Sequence, residues 1–291
     1  MVRIGILGGE NSHADCFAKY FNFPDEDGKP NVPGFRVTAV AGNYPDANKK
    51  LADYYGLELV AERPEELLGK VDAVMVTARD GKYHASFAEP FLRAGLPVFV
   101  DKPFTTDYES ARKLAKLAEE CGSPILGGSS VKLSGDVKIL ANLVKSQGDK
   151  IHGGSVTAPL AITSEHSGFW FYASHLVEVA LAIFGRKVRS VYAVRTANDV
   201  TAIIEYAGFA VTYHFADECY TSYLATVIAK DRSFTREIDF SLCFNEECDL
   251  FSEMVRTGVS PDSIESLTYP VLIMQSIIRS YETGTRITIC E

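Results

Sequence analysis

The amino-acid sequence predicts an α/β chain in two parts: a doubly wound parallel sheet, followed by an α+β domain on a mostly antiparallel, open sheet. Three features carry this expectation. Short apolar runs alternate with helix-period segments through about the first 125 residues. The first run, Val2 to Leu7, ends in Gly8-Gly9 and opens a helical pattern. Beyond Asp136, strand-like runs follow one another with a single long helical segment among them. Alternating strands and helices make a parallel sheet covered on both faces, whereas consecutive strands pair with their neighbours.

In the first part, strands are read at Val2 to Leu7, Phe35 to Ala41, Ala73 to Thr77, Pro97 to Val100 and Pro124 to Gly127. Each is an apolar run of strand length. Apolar residues recur at helical spacing over Ala14 to Phe21, Ala47 to Tyr55, Arg63 to Leu68, His84 to Ala94 and Tyr108 to Cys121. After a helix near Asp136 to Lys145, strands are expected at His152 to Ala158, Val188 to Thr196, Val200 to Tyr206, Phe209 to Ala216, Leu224 to Ala229 and Arg236 to Phe244. Ala207-Gly208 makes a short turn, and the long helix covers Phe171 to Phe184. The domains are expected at residues 1–127 and 128–291, with a closing helix over 268–282 available to pack back on the first. The alternating Phe209, Val211, Tyr213 and Phe215 form an apolar face that helices or a second subunit must cover, so a homodimer or larger homo-oligomer is expected.

Composition narrows the function classes. With 291 residues, 46% of them hydrophobic, the chain can bury a large core. A formal net charge of −9 argues against nucleic-acid binding, which rests on clustered Lys and Arg. No segment approaches the ~20 apolar residues of a membrane span, and the first strand leaves no room for a signal peptide, so a cytoplasmic protein is expected. The six cysteines form no CxxC pair, and no His/Cys/carboxylate set has metal-ligand spacing; neither a disulfide framework nor a metal site is expected.

The stretch ILGGENSHAD is a damaged Rossmann fingerprint. Such a fingerprint uses one glycine for the tight turn, a second for close approach of backbone amides to a pyrophosphate, and a third for helix packing. Gly8 serves as the first, while Glu10 and His13 fill the other two positions. Either Gly9 takes the close-approach role, with Asn11 or Ser12 capping the helix, or Glu10 points to solvent while the amides face inward. No acidic residue ends the second strand to hold a ribose 2′-hydroxyl; Gly42 and Asn43 stand there. NAD or NADP is therefore expected, with Lys49 and Lys50 either supplying positive charge or forming a solvated helix face.

Downstream, the AGLPVFV strand entry, Asp101-Lys102-Pro103 and the helix-opening His84 resemble the Gfo/Idh/MocA oxidoreductase family. There a strand ends in Glu-Lys-Pro. The resemblance runs on through GGSSVKLSGDVKILANLVKSQGDKIHGGSV and SPDSIESLTYPVLIMQSIIRSYETGTRITI, which look like the family's crossover helix with the first strand of its second domain and like its closing helix with the final strand. It implies a nicotinamide-dependent oxidoreductase acting on a carbohydrate, cyclitol or similar polyol. Gly8, Gly9, Glu10, Asn11, Ser12, Asn43, Thr77, Asp101 and Lys102 would then lie at the cofactor. Lys102 would also polarise a substrate oxygen.

GFWFYASHLVEVALAIFG resembles the family's other catalytic segment, written with an Asp four residues before a His. His175 takes the histidine place, but Phe171 stands at the Asp and cannot transfer a proton. Tyr172, on the same helix face as His175, is the replacement acid or base. His166 and Lys132 are candidate substrate contacts, whereas Glu178, His152 and His214 are read as packing or surface residues. The alternative to an enzyme is a ligand-sensing or scaffold protein with an eroded site, because Glu10, Gly42 and Phe171 all depart at functional positions.

Overall fold

The strand and helix periods of the first 128 residues produce the alternation expected of them. In a computed structural model, which describes residues 1–217, 219 and 223–289, the chain runs β1 (Val2–Leu7), α1 (Ser12–Asn22), β2 (Phe35–Ala41), α2 (Pro45–Tyr55), β3 (Leu59–Ala61), β4 (Ala73–Val76), α3 (His84–Arg93), β5 (Val98–Asp101), α4 (Tyr108–Cys121) and β6 (Ile125–Gly128). The six strands are all parallel, in the order β3-β2-β1-β4-β5-β6. The order reverses between β1 and β4, which makes their carboxyl ends the ligand crevice of such a sheet. β4 and β5 are buried throughout, as strands covered on both faces must be. α1 buries Ala14, Phe17, Ala18 and Phe21, a stripe at i, i+3, i+4 and i+7. α4 is capped at both ends: Asp107 accepts from Ser110 N at 2.7 Å, and Gly122 turns left-handed at φ +60°.

The chain continues through α5 (Gly135–Gln147), β7 (Ile151–Leu160), α6 (Trp170–Phe184), β8 (Ser190–Arg195), β9 (Asp199–Glu205), β10 (Ala210–Asp217), β11 (Leu224–Ala229), β12 (Arg232–Glu237), α7 (Cys243–Thr257), α8 (Ile264–Thr283) and β13 (Ile287–Thr288). The second sheet has the order β12-β11-β7-β10-β9-β8-β13. Only β7 and β10 pair in parallel.

Two compact units result. One comprises Met1–Gly128 with Phe244–Thr268, the other Ser129–Cys243 with Tyr269–Glu291. The returning segment belongs physically to the first: Cys248, Phe251 and Met254 of α7 join Phe17, Phe21 and Phe35 in its core. Ser260 Oγ and Asp262 Oδ2 accept the N–H groups of Ile125 and Gly127, at 2.9 and 3.2 Å, along the edge strand β6.

Three expectations are corrected. The strand expected over Arg236 to Phe244 is instead the end of β12, a turn, and the start of α7; the Asp239 carboxylate accepting from Ser241 N at 2.9 Å closes that turn. Arg63 to Leu68 is a 3-10 turn over Pro64–Leu67, ended after four residues where Leu68 leaves helical geometry at ψ 131°. The face carrying Val211, Tyr213 and Phe215 is the interior of the second unit, packed under α6 and fully buried, while Phe209 precedes β10 and stacks on Tyr206. The opposite face of that sheet is the open one, with Val194, Ile203, Leu224 and Ile228 each exposed. Among the described residues, no helix is long and apolar enough to cross a membrane.

Candidate functional site

In the first unit, the carboxyl ends of β1, β4 and β5 meet in one hydrogen-bonded network. Gly8 leaves β1 at φ +112°, and a Cβ there would overlap the backbone N and Cα of Ala78, so only glycine fits. Gly8→Ala is expected to destabilise this unit by about 1–3 kcal/mol, read as a lowered denaturant midpoint. Thr77, fully buried after β4, donates its hydroxyl to Gly8 O at 2.9 Å.

The next residues divide the work differently from an intact fingerprint. Gly9 N–H is taken by Asn48 Oδ1 at 3.0 Å, so the second glycine ties the loop to α2. Glu10 Oε1 accepts the N–H of Arg79 at 2.9 Å, while its Oε2 is buried without a hydrogen bond. Asn11 caps α1 by accepting from His13 N, and its amide donates to Thr77 O (3.0 Å) and Asp101 Oδ2 (3.3 Å). Among the described residues, the backbone N–H groups of Glu10, Asn11 and Ser12 have no acceptor within the chain. They stand at the positive end of the α1 dipole, beside a turn too tight for any side chain. This mouth fits a diphosphate, with Glu10 held aside by Arg79 N–H. Asn43 follows β2 as an exposed residue, and Lys49 is engaged by Asp53 at 2.9 Å along the α2 surface.

Asp101 anchors the other side of the network. Its carboxylate accepts from Lys102 N (2.7 Å) and Asn11 Nδ2, and lies 2.7 Å from His13 Nδ1. Burial is the largest single influence and pushes its pKa up, but His13, Lys102 and His84 together outweigh it and hold the carboxyl at about 2. Lys102 is itself buried, and its peptide to Pro103 is cis. Burial lowers its pKa from the ordinary 10.5, against the pull of Asp101 and with a further push from Arg79. His84 sits beneath, its two ring nitrogens 2.7 Å from the carbonyls of Pro103 and Ala78, so it ties the loops after β4 and β5 together. Burial drives its pKa down.

In the second unit, α6 brings its own cluster. His175 and Glu178, three residues apart, share a face. Glu178 Oε1 accepts from Ser129 N and its Oε2 pairs with Lys132 Nζ, both at 2.9 Å, while Ser129 Oγ lies 2.6 Å from His175 Nδ1. Phe171 is buried, its ring 5.5 Å from His166 and 5.0 Å from Tyr172; Tyr172 lies 5.9 Å from the His175 ring, and Tyr223 approaches that ring edge-on at 6.0 Å. His166 also faces Glu165 at 3.7 Å.

The structure thus gathers Gly8, Glu10, Asn11, Thr77, Asp101 and Lys102 in one unit, and Tyr172, His175, Lys132 and His166 in the other. Lys132 is committed to Glu178, which is nearly buried, where a surface or packing role was expected. Asn48, Arg79 and Ser129 are further participants that no local pattern marks, and His13, noted in the sequence only at the third glycine place, is the partner of Asp101. No group of three or more His, Cys, Asp or Glu among the described residues could hold a metal.

Comparison with known proteins agrees with this architecture. Residues 2–127 match the Gfo/Idh/MocA family, described as an oxidoreductase family with an NAD-binding Rossmann fold. Among curated proteins, inositol 2-dehydrogenase of Rhizobium meliloti (strain 1021) is 31% identical over 93 residues, 32% of this chain and 28% of that one. Inositol 2-dehydrogenase of Corynebacterium glutamicum (strain R) is 35% identical over 127 residues, 42% of this chain and 34% of that one. These matches therefore span about a third of the relatives' lengths. Among solved structures, myo-inositol 2-dehydrogenase from Lactobacillus plantarum superposes with a TM-score of 0.86 at 14% identity, covering 99% of each chain. Scyllo-inositol dehydrogenase from Lactobacillus casei, with bound cofactor NAD(H) and scyllo-inositol, gives 0.84 at 14% identity, again over 99% of each. Residues 2–127 are thus similar to the NAD-binding Rossmann part of the Gfo/Idh/MocA oxidoreductases, and the whole chain shares the fold of the inositol dehydrogenases.

Proposed function

We propose that the protein is a nicotinamide-dependent dehydrogenase that transfers hydride between the cofactor and a carbohydrate, cyclitol or similar polyol. The observation that carries this is Lys102, buried at the end of β5 with its pKa lowered, in the same network as the Gly8 turn and the three unpartnered amides. A buried lysine is costly, and its retention beside a dinucleotide mouth marks a chemical task. The inositol dehydrogenases among the relatives favour a cyclitol within the polyol class, and the bound NAD(H) in one of them favours NAD.

The nicotinamide, when bound, supplies the hydride donor or acceptor. The amides of Glu10, Asn11 and Ser12 hold the diphosphate, with Gly8 and Gly9 shaping the turn, while Thr77, Asn43 and Asp101 border the cofactor. Lys102 polarises the reacting oxygen, and Tyr172 or His175 moves the proton. His166 and Lys132 contact substrate hydroxyls. Self-association is assigned to the open sheet face bearing Val194, Ile203, Leu224 and Ile228; a monomer by light scattering would remove that assignment. No finding favours the sensor alternative.

Fluorescence titration with NADH and NADPH, followed by turnover on an inositol and sugar panel, tests the reading. NADH is expected to bind in the micromolar range, more tightly than NADPH. Absence of binding by either at millimolar concentration overturns it.

A further inference from the structure

Ser129 is fully buried, and its groups have fixed partners. Its N–H donates to Glu178 Oε1, its carbonyl accepts from Lys132 N, and its Oγ accepts the N–H of Val131 at 3.2 Å. Among the described residues, the hydroxyl hydrogen then has a single acceptor in reach, His175 Nδ1 at 2.6 Å. Turned elsewhere, it would be a buried donor without a partner, which folded proteins avoid. Nδ1 is therefore an acceptor, and a neutral imidazole that accepts at Nδ1 carries its one hydrogen on Nε2. The reverse arrangement, Nδ1–H donating to Oγ, would give Oγ two incoming donors and leave its own hydrogen stranded. Lys132 does not disturb this, because its ammonium is paired with Glu178.

We propose that Ser129 is a positioning residue that holds His175 in the Nε2–H tautomer, so that the imidazole meets its substrate as a hydrogen-bond donor to an acceptor oxygen, not as the remover of a hydroxyl proton. The catalytic meaning of this rests on the polyol dehydrogenase reading; the tautomer does not. It separates two roles that the sequence leaves together. His175 recognises the carbonyl oxygen of the oxidised substrate form, which leaves proton transfer in that unit to another group, for which Tyr172, three residues earlier on α6, is the candidate.

The test uses the full chain labelled with 15N at histidine. Long-range 1H–15N correlations are recorded at a pH where the rings are neutral, with His175 assigned from the signals lost in His175→Gln. A protonated Nε2 with a bare Nδ1 is the expected pattern, and a protonated Nδ1 overturns the proposal. In Ser129→Ala the preference is expected to relax toward a mixture of tautomers, and in Ser129→Thr, which keeps the hydroxyl, to return; an unchanged pattern in Ser129→Ala also overturns it. Where the protein turns over a ketone, Ser129→Ala is expected to lower kcat about 10- to 100-fold with the KM for cofactor unchanged. The wild-type spectrum decides the tautomer even where a variant does not fold. Failure of NADH to bind would remove the dehydrogenase reading while leaving that spectrum as it stands.

Discussion

Replacing Lys102 by alanine is expected to lower kcat by about 10²–10⁴-fold, with NADH affinity and thermal midpoint nearly unchanged. The side chain is buried and its pKa is lowered, so desolvation of the charge outweighs what Asp101 returns, and its removal is expected to cost the fold little. Arginine is not expected to rescue activity, since a guanidinium is larger and presents a planar fork where the site has shaped itself to a point charge. The charged lysine is the form that polarises an oxygen. Because burial lowers its pKa from 10.5, turnover is expected to decline on the alkaline side before pH 10.5, a limb absent from the residual activity of Lys102→Ala. A wild-type kcat/KM profile flat through pH 10.5, or turnover that survives the substitution, would remove Lys102 from catalysis and leave the cofactor assignment untouched.

Asp101→Ala is expected to carry the largest stability effect, about 3–5 kcal/mol in a denaturant titration. The loss is not that of one ion pair. It leaves His13 Nδ1 and the Lys102 N–H without their acceptor and takes one of two acceptors from the Asn11 amide, all in one buried place. The pH dependence has a fixed sign. Asp101 titrates at about 2 in the folded chain against 3.8 ordinarily, so the unfolded chain binds the proton more readily. The stabilisation, about 2 kcal/mol, is fully present above about pH 4 and is lost as pH falls toward 2. The isosteric Asp101→Asn should erase this acid limb, seen as unfolding free energies of the two proteins that converge as pH falls from 4 to 2.

Those two residues also show what a one-dimensional reading can and cannot reach. Lys102 was visible because a strand end, a charge and a proline stand side by side in sequence, and Gly8 because a strand ran into it. The His13 partner of Asp101 lies 88 residues away and the Asn48 partner of Gly9 lies 39 away, so no spacing rule joins them. Glu178 looked like a polar position on a helix; its meaning depends on Ser129 and Lys132, brought against it by the turn after β6. The same limit governs the fold. Leu224–Ala229 was readable to the residue, because one of its faces is buried. β12 is nearly all exposed and so carries no apolar alternation, which left the neighbouring apolar residues of Arg236 to Phe244 to imitate a strand. β3, at three residues, is too short for any period to register.

The edge of the first sheet is finished by side chains that arrive more than 130 residues after it, and its aromatic core by α7. During synthesis, the nucleotide-fold half cannot therefore mature when its own six strands have left the ribosome. It must wait, with strand β6 open and part of its aromatic core uncovered, until β7 to β12 have been made and the polypeptide has doubled back. The second half of the gene thus acts as a timer on the first, and a fragment cut after residue 128 would be an adhesive intermediate instead of a small independent protein.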